Sequence, residues 1–275
     1  MDKQVTGWER ENRVIFDDIV VNYDKSRWDY PGELFEDVIK YSQTESKIAL
    51  EIGAGTGKAT APFLDAGYGI TAIEMGANMA EFLREKFKEN KNFHVITATF
   101  EEAVLEDSTY DLIYAASAFH WVDAEIGCPK VFRLLRDKGT FALFRNHAKP
   151  ANNELFIECQ AFYEEYYYTH YTGQRPSSGH LSSEKYLEPD EITRCFGCKN
   201  FEHYGFIDVV MKLYNVNLSY SADEYINLLD TYSDHRALPE DKRTALYKRI
   251  RETIIRHGGY KELNCVYQLY MGRKG

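Results

Sequence analysis

The segment Ala49-Leu-Glu-Ile-Gly-Ala-Gly-Thr-Gly-Lys58 constrains this chain more than any other. A compact apolar run, Ile48–Ile52, leads into three glycines at alternate positions, Gly53, Gly55 and Gly57, and a helix-like stretch over 58–66 follows. A strand that turns through glycine straight into a helix is the opening unit of a parallel crossover. Apolar, β-branched runs recur at 70–74 (ITAIE), 93–97 (FHVIT), 111–116 (DLIYAA) and 139–144 (GTFALF), with helix-like segments at 77–89 and 126–136 between them. In the first of these helices Met79, Phe82, Leu83 and Phe87 form an i, i+3, i+4 stripe that buries one face. Right-handed crossovers then predict an α/β fold with a doubly wound, mostly parallel sheet.

The alternation stops near residue 148. An aromatic-rich helix is predicted over 153–171 and a loop over 174–183 (QRPSSGHLSS). Strand character returns at 203–217 and 265–271, separated by helices over 221–229 and 239–257, the second closed by Gly258 and Gly259 as a C-cap. Two late strands joined through helices predict an antiparallel edge, making seven strands in all. Four segments follow from this reading: a helical N-terminal flap (1–45), a cofactor-binding core (46–148), a cap insertion (149–202) and the last two strands with their helices (203–275). The tyrosines at 163, 166, 167, 168 and 171 do not share one helical face, which predicts a cap packed on the core.

With 33 Lys and Arg against 43 Asp and Glu, the chain carries a net charge of −10. That balance argues against a broad grip on nucleic-acid phosphates. No segment approaches the ~20 apolar residues of a membrane span, so no membrane partner is expected. The opening MDKQVTGWERENRVIFDD lacks the apolar stretch of a signal peptide, and five scattered cysteines suit a reducing, cytoplasmic setting. Cys195 and Cys198 form a CxxC, but no second CxxC or HxxxH completes a metal set, and none is expected. The pair sits where a helix end should pass into a strand.

Three cofactor classes use glycine loops, and spacing separates them. A P-loop needs glycine where Ile52 stands and Ser or Thr where Ala59 stands. A dinucleotide fingerprint needs a small residue at Lys58, or at Thr60 if read from Gly55. What remains is acidic-x-Gly-x-Gly-x-Gly, headed by Glu51. In this the sequence resembles the class I S-adenosylmethionine-dependent methyltransferases, which have a Rossmann-like fold. Adenosylmethionine has no phosphate, and its ammonium can be offset by a carboxylate beside the loop. The resemblance implies cofactor contacts from Glu51, Gly53, Ala54, Gly55 and Gly57. Strand two ends at Glu74, 17 residues beyond Gly57, where an acid can accept both ribose hydroxyls. Met75 would wall the adenine, and the matching stretch after strand three is Thr99, Phe100 and Glu101. An NAD enzyme would also place an acid at Glu74, so that residue alone does not separate the two cofactors.

Strand four leads into Ala115-Ala-Ser-Ala-Phe-His-Trp-Val-Asp123, beyond the carboxyl ends where open α/β sheets bind ligands. This run resembles the trans-aconitate methyltransferase-like branch of small-molecule enzymes. So does Tyr23-Asp-Lys-Ser-Arg-Trp-Asp-Tyr-Pro31, although Trp28 stands where that branch has proline. The likeness implies that Tyr23, Arg27 and Tyr30 fold over the cofactor and that Ala116 borders it. His120 is the candidate catalytic group, as orienter or proton acceptor; a structural histidine is the competing account. Trp121, Arg145 and His147 are candidate pocket residues, and an arginine there could clamp a carboxylate. The implied function is methyl transfer to a small-molecule acceptor, with carboxylate or hydroxyl oxygen favoured. A non-catalytic binder of adenosylmethionine or adenosylhomocysteine and an NAD-linked oxidoreductase are the alternatives. Neither the acceptor nor the oligomeric state follows from the sequence.

Overall fold

All five early apolar runs form strands in a computed structural model of the chain, which describes residues 10–149, 151, 153–171 and 198–275. A ten-residue 3-10 stretch, Arg10–Ile19, precedes α1 (Val20–Ser26) and α2 (Gly32–Ser42). Then come β1 (Ile48–Ile52), α3 (Thr60–Asp65), β2 (Gly69–Glu74), α4 (Ala77–Lys86), β3 (Phe93–Thr97), β4 (Tyr110–Ala116), α5 (Ala124–Leu134) and β5 (Leu135–Ala148). The later elements are α6 (Glu154–Phe162), a π-helical turn (Tyr163–Tyr167), α7 (Cys198–His203), β6 (Phe206–Ser221), α8 (Ala222–Leu229), α9 (Ser233–Arg236), α10 (Glu240–Arg256) and β7 (Tyr260–Lys274).

The seven strands lie in the order β3-β2-β1-β4-β5-β7-β6, mostly parallel with one antiparallel edge. Pairing is parallel from β3 through β2, β1 and β4 to β5. The chain builds outward from β1 through β2 to β3, then returns to lay β4 on the other side of β1. The crevice for a ligand therefore opens where β1 and β4 end. Register decides what faces it: Leu50 pairs with Ile113, whereas Glu51 stands opposite Tyr114. Leu50, Ile52, Ile113, Ala115, Val131, Leu134, Phe141 and Leu143 are buried in one core, an arrangement that strand alternation requires.

Element boundaries differ from the sequence reading in physically explicable ways. The helix predicted over 126–136 ends at Leu134, and β5 begins at Leu135 instead of 139. Leu135 already pairs with Tyr110; a register shift follows before pairing resumes at Leu112 and Thr140. Lys138 adopts φ 63° at that irregularity. The helix predicted over 153–171 is capped by the Asn153 side-chain Oδ1, which accepts from the Phe156 N–H, but loosens into the π turn after Phe162. The late strands are longer than expected, and 198–203 is helix before β6 starts. Cys195 and the 174–183 loop lie outside the described residues.

The described residues divide into two compact units. One comprises those within Trp28–His147, Glu188–Asn215 and Val266–Gly275, and carries the parallel strands. The other comprises those within Met1–Arg27, Ala148–Leu187 and Val216–Cys265. Its own core joins Leu155, Phe162, Leu229, Leu246, Ile250 and Ile254 with Tyr167 and Tyr171, so those two tyrosines are buried while Tyr163, Tyr166 and Tyr168 are partly covered. Among the described residues no helix is long and apolar enough to cross a membrane.

Candidate active site

Gly53, Gly55 and Gly57 adopt φ of 68°, 57° and 80°, the left-handed region that glycine enters without penalty. Their sequence role was close approach to a ligand, yet at two of them the chain itself supplies the crowding. A Cβ on Gly53 would meet the Ala118 Cβ at 2.6 Å, and one on Gly57 would meet the Phe87 ring at 2.5 Å. A Gly53→Ala substitution is expected to cost about 2–5 kcal/mol, combining left-handed strain with overpacking. Urea denaturation beside Gly32→Ala, where a Cβ would meet nothing within 4 Å, checks this. Equal effects of the two substitutions would refute it.

Glu74, at the end of β2, braces the loop. One carboxylate oxygen accepts from the Gly55 N–H at 2.8 Å and the other from the Gly76 N–H at 2.9 Å. The Gly53 and Ala54 N–H groups both reach the Ile73 carbonyl, at 2.8 and 3.3 Å. The loop is thus tied to β2 at three successive residues.

Glu51 is 1% exposed. Its Oε2 accepts from Thr60 Oγ1 at 2.5 Å and from the Tyr114 hydroxyl at 3.0 Å, while Oε1 is buried with no partner. Burial pushes the carboxyl up to about 8; the bonds from Thr60 and Tyr114 pull it down, and the nearby Glu74 charge raises it. An unpartnered buried carboxylate oxygen is costly unless a donor meets it. An ammonium is such a donor, so the residues fit a cofactor with a free amino group. In the same loop Thr56 Oγ1 is also buried without a partner.

Met75 is half-buried between Glu74 and Gly76. Of the stretch after β3, Thr99 bonds Glu102 at 2.8 Å and Glu101 accepts from the Asp123 N–H at 3.4 Å. The Phe100 ring departs from the sequence assignment, because it is 3% exposed and packs in the core. Its backbone alone is left to a site, and the Lys130 ammonium holds its carbonyl at 2.6 Å. Tyr23 and Arg27 belong to the other unit, where the Arg27 guanidinium lies 4.3 Å over the Tyr232 ring and donates to the Thr231 carbonyl at 2.6 Å. Tyr30 donates to Ser117 Oγ at 3.0 Å.

Ala116 ends β4 half-buried, Trp121 is half-buried in the 3-10 turn that follows, and His120 beside it is exposed. Arg145 and His147, two residues apart on β5, share a face. The Arg145 Nε donates to Gln268 Oε1 at 2.7 Å and Nη2 to the Tyr270 hydroxyl at 3.0 Å, with the guanidinium 5.0 Å from the Tyr270 ring centre. The His147 Nε2 is buried with no partner. Burial lowers that imidazole to about 4, aided by the Arg145 and His120 charges, so it is neutral at pH 7.

Sequence reasoning missed Thr60, Tyr114, Ser117 and Ala118. Only the register pairing Glu51 with Tyr114 could have marked one of them, and it needs the order of strands first.

Residues 50–143 match a family described as a methyltransferase domain. An uncharacterized methyltransferase of Mycobacterium bovis is 30% identical over 142 residues, 52% of this chain and 56% of that protein. The match therefore spans little more than half the length of that relative. An uncharacterized methyltransferase of Schizosaccharomyces pombe is 26% identical over 240 residues, 86% of this chain and 85% of the other. The phosphoethanolamine N-methyltransferase 2 of Haemonchus contortus, solved in complex with S-adenosyl-L-methionine, shares the fold at TM-score 0.52 and 12% identity, over 98% of this chain and 60% of its own. Residues 50–143 thus match a methyltransferase domain, and the tied glycine loop at the β1/β4 crevice with the unpartnered Oε1 of Glu51 fits S-adenosylmethionine as the cofactor.

Proposed function

We propose that this protein moves a methyl group to a small-molecule acceptor, with a carboxylate or hydroxyl oxygen as the favoured target. The observation that carries the reading is the pair on β5: a fixed guanidinium, Arg145, two residues from a neutral imidazole, His147, whose buried Nε2 has no partner. The cofactor supplies a methyl group on a positively charged sulfonium, open to in-line displacement.

The chain's own residues do the rest. Gln268 and Tyr270 hold Arg145 in one orientation, leaving Nη1 to pair with an acceptor carboxylate. A carboxylate is already ionised and needs only positioning. A hydroxyl must lose a proton, which a neutral imidazole can take on Nε2. His120 is exposed and Trp121 half-buried at the end of β4, where the first would orient the acceptor and the second exclude water. Glu51 and Glu74 hold the amino and ribose ends of the cofactor, with Met75 beside the base.

The test is turnover. The protein is incubated with adenosylmethionine and separate panels of carboxylic acids, phenols and alcohols, amines, and RNA. Adenosylhomocysteine release and the mass gain of one methyl group are both followed. Methylation of an acid or hydroxyl compound that falls at least tenfold in Arg145→Ala supports the reading. Methylation confined to amines or RNA overturns it. Tight cofactor binding with no product across all panels favours the non-catalytic binder.

A further inference from the structure

Ser117 adopts φ 54°, a conformation that a residue with a Cβ holds only where its surroundings over-determine it. It sits one residue beyond β4, in the crevice-forming turn. Two bonds fix it there. Its N–H donates to the Phe144 carbonyl on β5 at 2.8 Å, and its Oγ accepts from the Tyr30 hydroxyl at 3.0 Å. The strained residue aims its neighbour: the Ala118 Cβ occupies the space where a Gly53 side chain would lie. The turn after β4 therefore presses directly on the first glycine of the cofactor loop.

Tyr30 is itself held from several sides. Its ring makes edge contacts with Phe35, Phe144 and Tyr267, at centroid distances of 6.2, 5.9 and 5.8 Å. The Tyr267 hydroxyl also donates to the Asp29 carbonyl at 2.8 Å, and Lys58, next to the last loop glycine, pairs with Asp29 at 2.7 Å. The segment 28–31 is thus anchored to β7 below and to the end of the glycine loop.

We propose that Tyr30 and Ser117 form a latch that holds the post-β4 turn against Gly53, and that this latch sets cofactor affinity by pre-organising the loop. Tyr30 is a positioning residue that acts through Ser117, and need not touch the cofactor. The inference rests on the cofactor assignment and goes beyond it. A pre-organised loop loses less freedom on binding, so releasing the latch costs affinity without removing any ligand contact.

Adenosylhomocysteine titrated by calorimetry into the full chain tests this, with melting temperature read on every variant. Tyr30→Phe and Ser117→Ala should each bind about three- to tenfold more weakly, and the double variant no more weakly than the weaker single one. Ser117→Gly separates positioning from stability. Glycine relieves the backbone strain, so melting should hold or rise, yet affinity should fall because the hydroxyl is gone. Ser117→Asn, which tolerates the left-handed conformation and offers an amide to Tyr30, should restore affinity to within about twofold. The proposal is overturned if Tyr30→Phe and Ser117→Gly bind like the unsubstituted protein, if affinity merely tracks melting temperature, or if losses in the double variant add. Should the unsubstituted protein itself not bind, the cofactor assignment falls and the latch with it.

Discussion

Replacing Glu74 by Ala is expected to weaken adenosylhomocysteine binding by at least about 100-fold and to destabilise the protein by roughly 3–6 kcal/mol. The magnitude follows from the two bonds lost, each from a backbone N–H to a charged carboxylate and each contributing about 1.5–3 kcal/mol. The Gly55 and Gly76 N–H groups would be left to compete for water, and the loop would keep only its ties to the Ile73 carbonyl. Affinity should fall twice over, because the same carboxylate is the proposed ribose acceptor and the brace of the loop. Calorimetry and urea denaturation read the two losses separately. A variant that kept full stability would show that the loop stands without Glu74. One that kept full affinity would remove the residue from the cofactor site.

The contribution of Glu51 to the stability of the ligand-free protein should fall as pH rises from about 4.5 to about 8, whereas the lowered His147 acts in the opposite direction below about pH 6.5. Below pH 4.5 the carboxyl is neutral in both folded and unfolded chains. Between the two values the unfolded chain releases its proton while the folded chain, with the group pushed up to about 8, holds it. A raised folded pKa therefore gives stability that is fully present at low pH and lost on the way up. At about 1.4 kcal/mol per pKa unit the loss reaches roughly 3–5 kcal/mol. The difference in stability between the unsubstituted protein and Glu51→Gln, measured by denaturation from pH 5 to 8.5, should trace this loss, and a difference that stays constant with pH would refute it.

Ligand binding should run the other way. An ammonium near the unpartnered Oε1 favours the carboxylate, so adenosylhomocysteine should displace a proton and bind more tightly as pH rises from 6 to 7.5. The limiting slope is about tenfold per pH unit for one linked proton. Calorimetry at pH 7 in buffers of different ionisation enthalpy should show close to one proton released by the unsubstituted protein and none by Glu51→Gln. Proton release unchanged in that variant would place the linked group elsewhere.

Local sequence determined the sheet core and the cofactor loop. The runs at 48–52, 70–74, 93–97, 111–116 and 139–144 are apolar at a spacing that suits buried parallel strands. A loop with glycine at 53, 55 and 57 after an acidic strand end excludes phosphate-cradling geometries by spacing alone. These are short-range facts, legible because strand alternation and left-handed turns are properties of neighbouring residues. Why those glycines are needed was not legible. Ala118 and Phe87, distant in the chain, fill the space above Gly53 and Gly57. The partners of Glu51 were equally hidden: Tyr114 reaches it only because β4 returns beside β1 in that register, and Thr60 only because α3 begins over the strand end. Phe100 was assigned to the cofactor by its place after β3, yet the direction of its ring depends on the core it fills. Boundaries at Leu135 and Phe162 moved for the same reason, since an irregular strand start and a loosened helix end are set by what packs against them. Sequence thus determined which residues carry charge and where the chain must turn. Tertiary structure alone decided which of those charges lose water, which carboxylate oxygen is left without a donor, and which side chain presses on the loop, because burial and pairing arise only between segments far apart in the chain.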